Sequence, residues 1–178
     1  MRGAIRSGDA FARFCSMRAA PETFKALQDD CSGKRRIAPL PDHDDFILRT
    51  LRDDPALSQI LSGKKTIISQ LHSLAGCSVQ SFSENPFHND YVAPHSGKSG
   101  SLLVAQQAGT QWRFTLDDPP HTTHTQYRTI ELNAGDAVYF RSDCWHSGGA
   151  YSRSNHRVFL FIFTTEHKPQ TDSVFVPR

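Results

Sequence analysis

The sequence predicts a mainly β domain, an antiparallel barrel with helices packed outside it. After residue 64, short apolar and β-branched segments follow one another, separated by turn signals, a pattern typical of small barrels. Before it, apolar residues have helical spacing, and prolines and glycines mark the expected helix ends. At 178 residues the chain is expected to form a single domain. We divide it into a helical N-terminal region at residues 1–63 and the barrel at residues 64–178.

Four helices are expected in the N-terminal region. The first spans residues 11–18, whose apolar side chains share one helical face, and the second spans residues 21–33. The third is capped by Asp42 and buries Phe46. The fourth starts at Asp54-Pro55, an acidic N-cap followed by a proline at the first helical position.

Seven segments are expected to be strands. They cover residues 67–68 with their neighbours, 78–82, 101–105, 112–116, 127–132, 137–140 and 157–164. In the last strand we expect Arg157 and Phe159 to point into the barrel, because side chains alternate along a strand. Val158 and Leu160 should then point outward. Large aromatic residues of these strands, including Trp112, are expected to build the core.

The composition gives no support for a nucleic-acid-binding or membrane protein. Twenty basic and 18 acidic residues give a net charge of +2, which provides no strong field to attract nucleic acid. No apolar run approaches the roughly 18 residues that a membrane span needs. The four cysteines form no C-x-x-C pair, which is typical of free thiols in a reducing compartment. We therefore expect a cytoplasmic protein.

Two histidines and an aspartate form a candidate metal site. In His88-Asn89-Asp90, residues two apart in an extended segment point the same way, so His88 and Asp90 can bind one ion. His146 follows a turn at residues 134–136 and a short strand, 58 residues after His88. That separation holds about five strands, enough to bring both histidines to one mouth of a barrel. Two histidines and one carboxylate leave three octahedral positions open, an arrangement that suits Fe(II).

Each of these residues also has an ordinary structural explanation. His146 fits a core histidine, Asp90 fits a turn cap, and Arg157 fits an ion pair with an acidic residue of the sheet such as Glu131. The H-x-D pattern also occurs at His43-Asp44-Asp45, but there it opens a predicted helix outside the β region.

Three blocks of the sequence together resemble the iron(II)- and 2-oxoglutarate-dependent oxygenases of the cupin superfamily, either Jumonji-C-like or phytanoyl-CoA-hydroxylase-like. The blocks are His88-Asn89-Asp90, residues 101–114, and residues 132–140 leading into Trp145-His146. The resemblance implies a double-stranded β-helix (jelly-roll, cupin-like) fold. It also implies Fe(II) bound by His88, Asp90 and His146, with 2-oxoglutarate and O₂ as cosubstrates. The implied reaction is hydroxylation of a small molecule, an amino acid or a peptide.

The resemblance offers two positions for the residue that binds the far carboxylate of 2-oxoglutarate. In the Jumonji-C-type enzymes a basic residue on the strand after the glycine usually does so, and Gln111, which is uncharged, stands near that position. The phytanoyl-CoA-hydroxylase-like enzymes take the cation from the strand after the second histidine, where Arg157 stands. We favour Arg157, because a guanidinium forms a planar two-bond fork with a carboxylate.

Two other functions remain open at this stage. A cupin-type metalloenzyme that does not use 2-oxoglutarate would share the fold, but such sites usually contain three or four histidines. A non-catalytic barrel that only binds a ligand would share it too, because a fold does not determine a function.

Overall fold

Two antiparallel β-sheets and one helix make up most of the described chain. The computed structural model describes residues 4–6, 25–26, 35–40, 44–55, 58, 65–74, 87–90, 99–115, 126–141, 144–149, 151 and 153–164. The strands are β1 (Ala4–Arg6), β2 (Lys25–Ala26), β3 (Arg35–Pro39), β4 (Lys65–Leu74), β5 (Gly100–Ala105), β6 (Thr110–Thr115), β7 (Tyr127–Leu132), β8 (Ala137–Arg141), β9 (His146–Gly148) and β10 (Asn155–Thr164), and helix α1 is Asp44–Asp53.

The chain alternates between the two sheets. Among the described residues, a seven-stranded sheet has the order β1-β8-β5-β10-β4-β3-β2, and a three-stranded sheet has the order β7-β6-β9. From β5 onward the chain passes from the large sheet to the small one and back, twice. This winding is consistent with a jelly roll, and it confirms the prediction of a mainly β, antiparallel fold.

Strand β10 separates two apolar clusters. On one face Phe159 packs with Trp112 and Phe114 of the small sheet in what we call the inner cluster. On the other face Val158 and Leu160 pack with Leu51 of α1 in the outer cluster. The predicted alternation is therefore confirmed. Val158 and Leu160 are nevertheless fully buried, because the helix covers the outward face of the sheet.

Helix α1 agrees with the third predicted helix. Its residue Phe46 is partly buried against the outer cluster and Leu51 is fully buried, whereas Arg52 is exposed. The start predicted for the fourth helix is also seen, since the Ser58 amide donates to the Asp54 carbonyl over 2.8 Å. The rest of that helix lies outside the described residues.

The expectation of a helical N-terminal region needs correction. The predicted helix at residues 21–33 is wrong at Lys25–Ala26, which form a strand paired with β3. β1 and β3 are also strands, paired with β8 and β4 respectively. The physical reason is that β4 and β8 would otherwise leave edge N–H and C=O groups without partners. Sheet pairing therefore outweighs local helix propensity here.

Other predictions divide between confirmed and untested ones. The strand predictions at residues 67–68, 101–105, 112–116, 127–132, 137–140 and 157–164 correspond to β4, β5, β6, β7, β8 and β10. The helix predicted at residues 11–18 and the strand at 78–82 lie outside the described residues. Within the described part of the chain, no helix is long and apolar enough to cross a membrane.

Candidate metal centre

A tight turn at residues 134–136 leads into β8, whose residue Phe140 contacts His146 of the candidate site. Gly135 has a φ of 85°, a conformation that costs a residue with a side chain about 1–2 kcal/mol. The Asp136 carboxylate accepts a hydrogen bond from the Asn133 amide over 2.8 Å. The Gly135 amide donates to the Ala105 carbonyl over 2.9 Å, which ties the turn to the end of β5. The turn predicted at residues 134–136 is thus confirmed.

Main-chain hydrogen bonds hold the two histidines side by side. The His88 amide donates to the His146 carbonyl over 2.9 Å, and the His146 amide donates back to the His88 carbonyl over 2.8 Å. Directly paired residues project from the same face of a sheet. His146 is likewise paired with Phe114 of the inner cluster, so both imidazoles face the interior, with ring centroids 4.4 Å apart.

Asp90 completes a set of three metal-ligand donors. One ligand atom each from His88, Asp90 and His146 lies within 4.8 Å of the others. His146 Nε2 and Asp90 Oδ1 are 3.4 Å apart. Ligands bound at about 2.1 Å on adjacent octahedral positions lie about 3 Å apart, so small side-chain movements allow these atoms to share an ion. The structure therefore brings together the three residues that the sequence indicated.

The hydrogen bonding of His146 leaves the correct nitrogen for a metal. Its Nδ1 lies 2.9 Å from the carbonyl oxygen of Cys144. A carbonyl can only accept, so Nδ1 carries the proton and Nε2 keeps its lone pair. Nε2 is buried and makes no hydrogen bond within the described part of the chain. A neutral imidazole oriented through its other nitrogen is the usual form of a histidine ligand.

Ser101 orients the carboxylate of Asp90. Its hydroxyl donates to Asp90 Oδ2 over 2.5 Å, which leaves Oδ1 facing His146. Burial alone would raise the pKa of Asp90. The neighbouring imidazoles of His146 and His88 and the hydrogen bond from Ser101 outweigh burial, so the pKa of Asp90 lies below its ordinary value. The carboxylate is therefore ionised and ready to bind a cation.

Aromatic rings enclose His146. Trp112 stacks on its imidazole with centroids 5.1 Å apart and an interplanar angle of 23°, and Phe140 lies 4.6 Å away. His146 is 1% exposed. This apolar surround keeps water from the imidazole and restricts its rotation.

A buried arginine contacts the same tryptophan. Arg157 is 2% exposed and projects from the same face of β10 as Phe159. Its Cζ lies 4.5 Å from the Trp112 ring centroid, which is itself 5.1 Å from that of His146. The sum of these two distances, 9.6 Å, is the upper limit for the separation of the Arg157 guanidinium from the His146 ring.

Gln111, the alternative to Arg157, occupies a different environment. It alternates with the inward-facing Trp112 on β6 and lies against Gly149, where an added Cβ would clash with that of Gln111. Glu131, one alternative partner for Arg157, is exposed and directly paired with Gln111. The competing His43 lies outside the described residues.

Two contacts at the site had no clear signal in the sequence. Ser101 is one small polar residue at the start of an apolar strand, and only the packing of β5 against His88-Asn89-Asp90 reveals its contact with Asp90. Trp112 was expected to be a core residue, and it is one. Its simultaneous contact with His146 and Arg157 depends on the pairing of β6 with β9 and on the packing of β6 against β10 of the other sheet, which local patterns do not specify.

The fold is shared with enzymes of known structure. Neither a protein-family model nor a curated protein matches the chain. The epimerase SnoN, crystallised with Fe3+, alpha-ketoglutarate and nogalamycin RO, is 14% identical with a TM-score of 0.64, over 98% of this chain and 81% of SnoN. HygX from Streptomyces hygroscopicus, with nickel and 2-oxoglutarate bound, is 10% identical with a TM-score of 0.59, over 92% of this chain and 83% of HygX.

A third similar structure is a Pseudomonas putida prolyl-4-hydroxylase. It is 13% identical with a TM-score of 0.59, over 91% of this chain and 92% of the hydroxylase. At these identities the likeness establishes a common fold. It agrees with the jelly-roll winding of the two sheets.

Proposed function

We propose that the protein is an iron(II)- and 2-oxoglutarate-dependent oxygenase. The observation that carries the proposal is the buried group of His88, Asp90 and His146, with the buried cation of Arg157 at most 9.6 Å from the His146 ring. The common fold with SnoN, HygX and the prolyl hydroxylase supports the same conclusion.

The three ligands fit Fe(II). Two neutral imidazoles and one carboxylate with three open positions are the ligand set of non-haem Fe(II) oxygenases. Two features of the site support this fit: the Cys144 carbonyl fixes the proton on Nδ1 of His146, and Ser101 orients the carboxylate of Asp90. A structural zinc site would instead close all four positions with protein ligands. Three open positions are enough for a two-point chelating 2-oxo acid and for O₂.

In this proposal Arg157 binds the far carboxylate of 2-oxoglutarate. A guanidinium in a buried site is stabilised when an anion accompanies it, and its planar fork matches a carboxylate. An extended five-carbon dicarboxylate spans about 5 Å between its terminal carbons at ~1.5 Å per bond. That length is compatible with the limit of 9.6 Å between the His146 ring and the guanidinium. The contact of Gln111 with Gly149, on the other face of β6 from Trp112, favours Arg157 over Gln111.

The chain's own contribution is binding, orientation and exclusion of water. When bound, the iron centre would supply oxidation by O₂, in which one oxygen atom converts 2-oxoglutarate to succinate and CO₂ and the other is inserted into a C–H bond of the substrate. Trp112 and Phe140 surround the His146 ring with apolar surface. Such an environment strengthens the charge interactions of the bound dicarboxylate and limits side reactions with water.

We propose hydroxylation of a small molecule, with an amino acid or a peptide as further candidates. SnoN was crystallised with nogalamycin RO and HygX with hygromycin B, and these ligands support a small-molecule substrate. Epimerisation, the reaction named for SnoN, is the alternative to hydroxylation. Product analysis distinguishes them, because only hydroxylation increases the mass of the substrate by one oxygen.

The direct test is succinate formation from 2-oxoglutarate by the Fe(II)-loaded protein with a panel of small molecules, amino acids and peptides. We expect slow succinate release without substrate and faster release with a substrate that fits. Asp90→Ala should abolish both. A wild-type protein that binds Fe(II) but neither binds 2-oxoglutarate nor forms succinate would contradict the proposal. It would favour a cupin-type metalloenzyme that does not use 2-oxoglutarate.

A further inference from the structure

Trp112 contacts both halves of the proposed site. Its ring stacks on the imidazole of His146 at 5.1 Å, and the guanidinium carbon of Arg157 lies 4.5 Å from its centroid. A cation over an indole face is attracted by the electrons of the ring, and indole is the strongest such partner among the side chains. One side chain thus supports a proposed metal ligand and the proposed cosubstrate anchor together.

The indole N–H of Trp112 is a buried donor in need of an acceptor. The residue is 2% exposed, and its Nε1 makes no hydrogen bond with the described residues. Buried polar atoms of native proteins are nearly always hydrogen-bonded to protein, ordered water or ligand, and an indole nitrogen can only donate. A dicarboxylate bound between His146 and Arg157 would bring acceptor oxygens to this part of the interior.

The phenylalanines next to Trp112 offer an aromatic face but no hydrogen-bond donor. Phe140 and Phe159 lie 5.8 and 6.0 Å from Trp112 in the same cluster, so phenylalanine is compatible with this region of the core. A phenylalanine at position 112 would keep an aromatic face for His146 and Arg157. It would lack the N–H donor, which core packing does not require.

We propose that Trp112 is a positioning residue for the cosubstrate: its N–H donates a hydrogen bond to bound 2-oxoglutarate, while its ring holds Arg157 and His146 in place. This inference rests on the proposed use of 2-oxoglutarate. Loss of the N–H donor should weaken 2-oxoglutarate binding, whereas loss of the ring should weaken Fe(II) binding as well. Two substitutions at position 112 separate these effects.

The first substitution is Trp112→Phe, which removes the donor and keeps a ring. We expect Fe(II) affinity within about threefold of wild type, because the ring still supports His146. The dissociation constant of 2-oxoglutarate, measured by charge-transfer absorption of the anaerobic Fe(II) protein, should rise about tenfold or more, the usual effect of losing a hydrogen bond to a charged group. Trp112→Leu, which removes the ring as well, should also lower Fe(II) affinity by about tenfold or more.

Trp145→Phe is the matched control, because it makes the same change at the other tryptophan, which is also buried. It should leave 2-oxoglutarate affinity unchanged. If the folded Trp112→Phe protein binds 2-oxoglutarate like wild type, or if Trp145→Phe weakens binding equally, the Trp112 inference is overturned and the proposed function stands. If wild-type protein loaded with Fe(II) binds no 2-oxoglutarate, the proposed function fails and the Trp112 inference fails with it.

Discussion

Substituting Arg157 by glutamine separates cosubstrate binding from metal binding. Arg157 is buried on β10 and contacts Trp112, whereas the three metal-ligand donors come from His88-Asn89-Asp90 and the start of β9. We therefore expect Arg157→Gln to bind Fe(II) with wild-type affinity. Its 2-oxoglutarate affinity should fall markedly, because glutamine removes the charge while it preserves much of the side-chain volume.

The magnitude follows from the burial of the guanidinium. A hydrogen bond to a charged group contributes about 1.5–3 kcal/mol, and each 1.4 kcal/mol corresponds to a factor of about ten. Loss of the charge-assisted bond of Arg157 should thus weaken 2-oxoglutarate binding by about ten- to a hundredfold. The free protein should not lose stability in proportion, because the substitution also removes the cost of burying a cation.

The assay is titration of 2-oxoglutarate into anaerobic Fe(II) protein, followed by metal-to-ligand charge-transfer absorption. Gln111→Ala is the control, because Gln111 lies against Gly149 on the other face of β6 from Trp112. It should titrate like wild type. Wild-type affinity in Arg157→Gln together with weak binding in Gln111→Ala would refute the reasoning and move the anchor to β6.

Three further substitutions test the supports of the site and of the fold. Ser101→Ala removes the hydrogen bond that orients Asp90, and metal titration should show a ten- to hundredfold loss of Fe(II) affinity; unchanged affinity would contradict an orienting role. Leu51→Ala removes a fully buried side chain of α1 and should lower the unfolding free energy by about 2–5 kcal/mol in denaturant titration, whereas a loss below 1 kcal/mol would mean that α1 does not cover the sheet. Gly135→Ala should lower the unfolding free energy by about 1–2 kcal/mol in the same denaturant titration, because the residue at position 135 has a positive φ. An unchanged unfolding free energy would mean that the turn adopts another conformation.

The parts of the fold that local pattern determines were predictable. Strand β10 is ten residues long. Its run of β-branched and aromatic residues identified the strand, and the alternation of side chains along a strand placed Arg157 on the inward face with Phe159. Helix α1 was predictable because Asp42 can cap it and because the apolar residues Phe46, Ile47 and Leu51 follow at helical spacing. β1, β2 and β3 were not predicted, since each is short and owes its structure to pairing with another strand. Sequence-local signals contain no information on such pairing.

The same distinction applies to the site. His88, Asp90 and His146 could be selected because the chemistry of a facial triad limits the residue types and their spacing. The contact of Ser101 with Asp90 and the contacts of Trp112 with His146 and Arg157 depend on how the two sheets face each other. No spacing along the chain reports that arrangement.

The central claim is that His88, Asp90 and His146 hold one metal ion, and metal stoichiometry tests it most directly. Anaerobic equilibrium dialysis against Fe(II) should give one ion per wild-type chain, with none bound after His88→Ala/Asp90→Ala or His146→Ala. His43→Ala, which alters the other H-x-D sequence, should retain the ion. Full metal retention in the His88→Ala/Asp90→Ala protein would contradict the account.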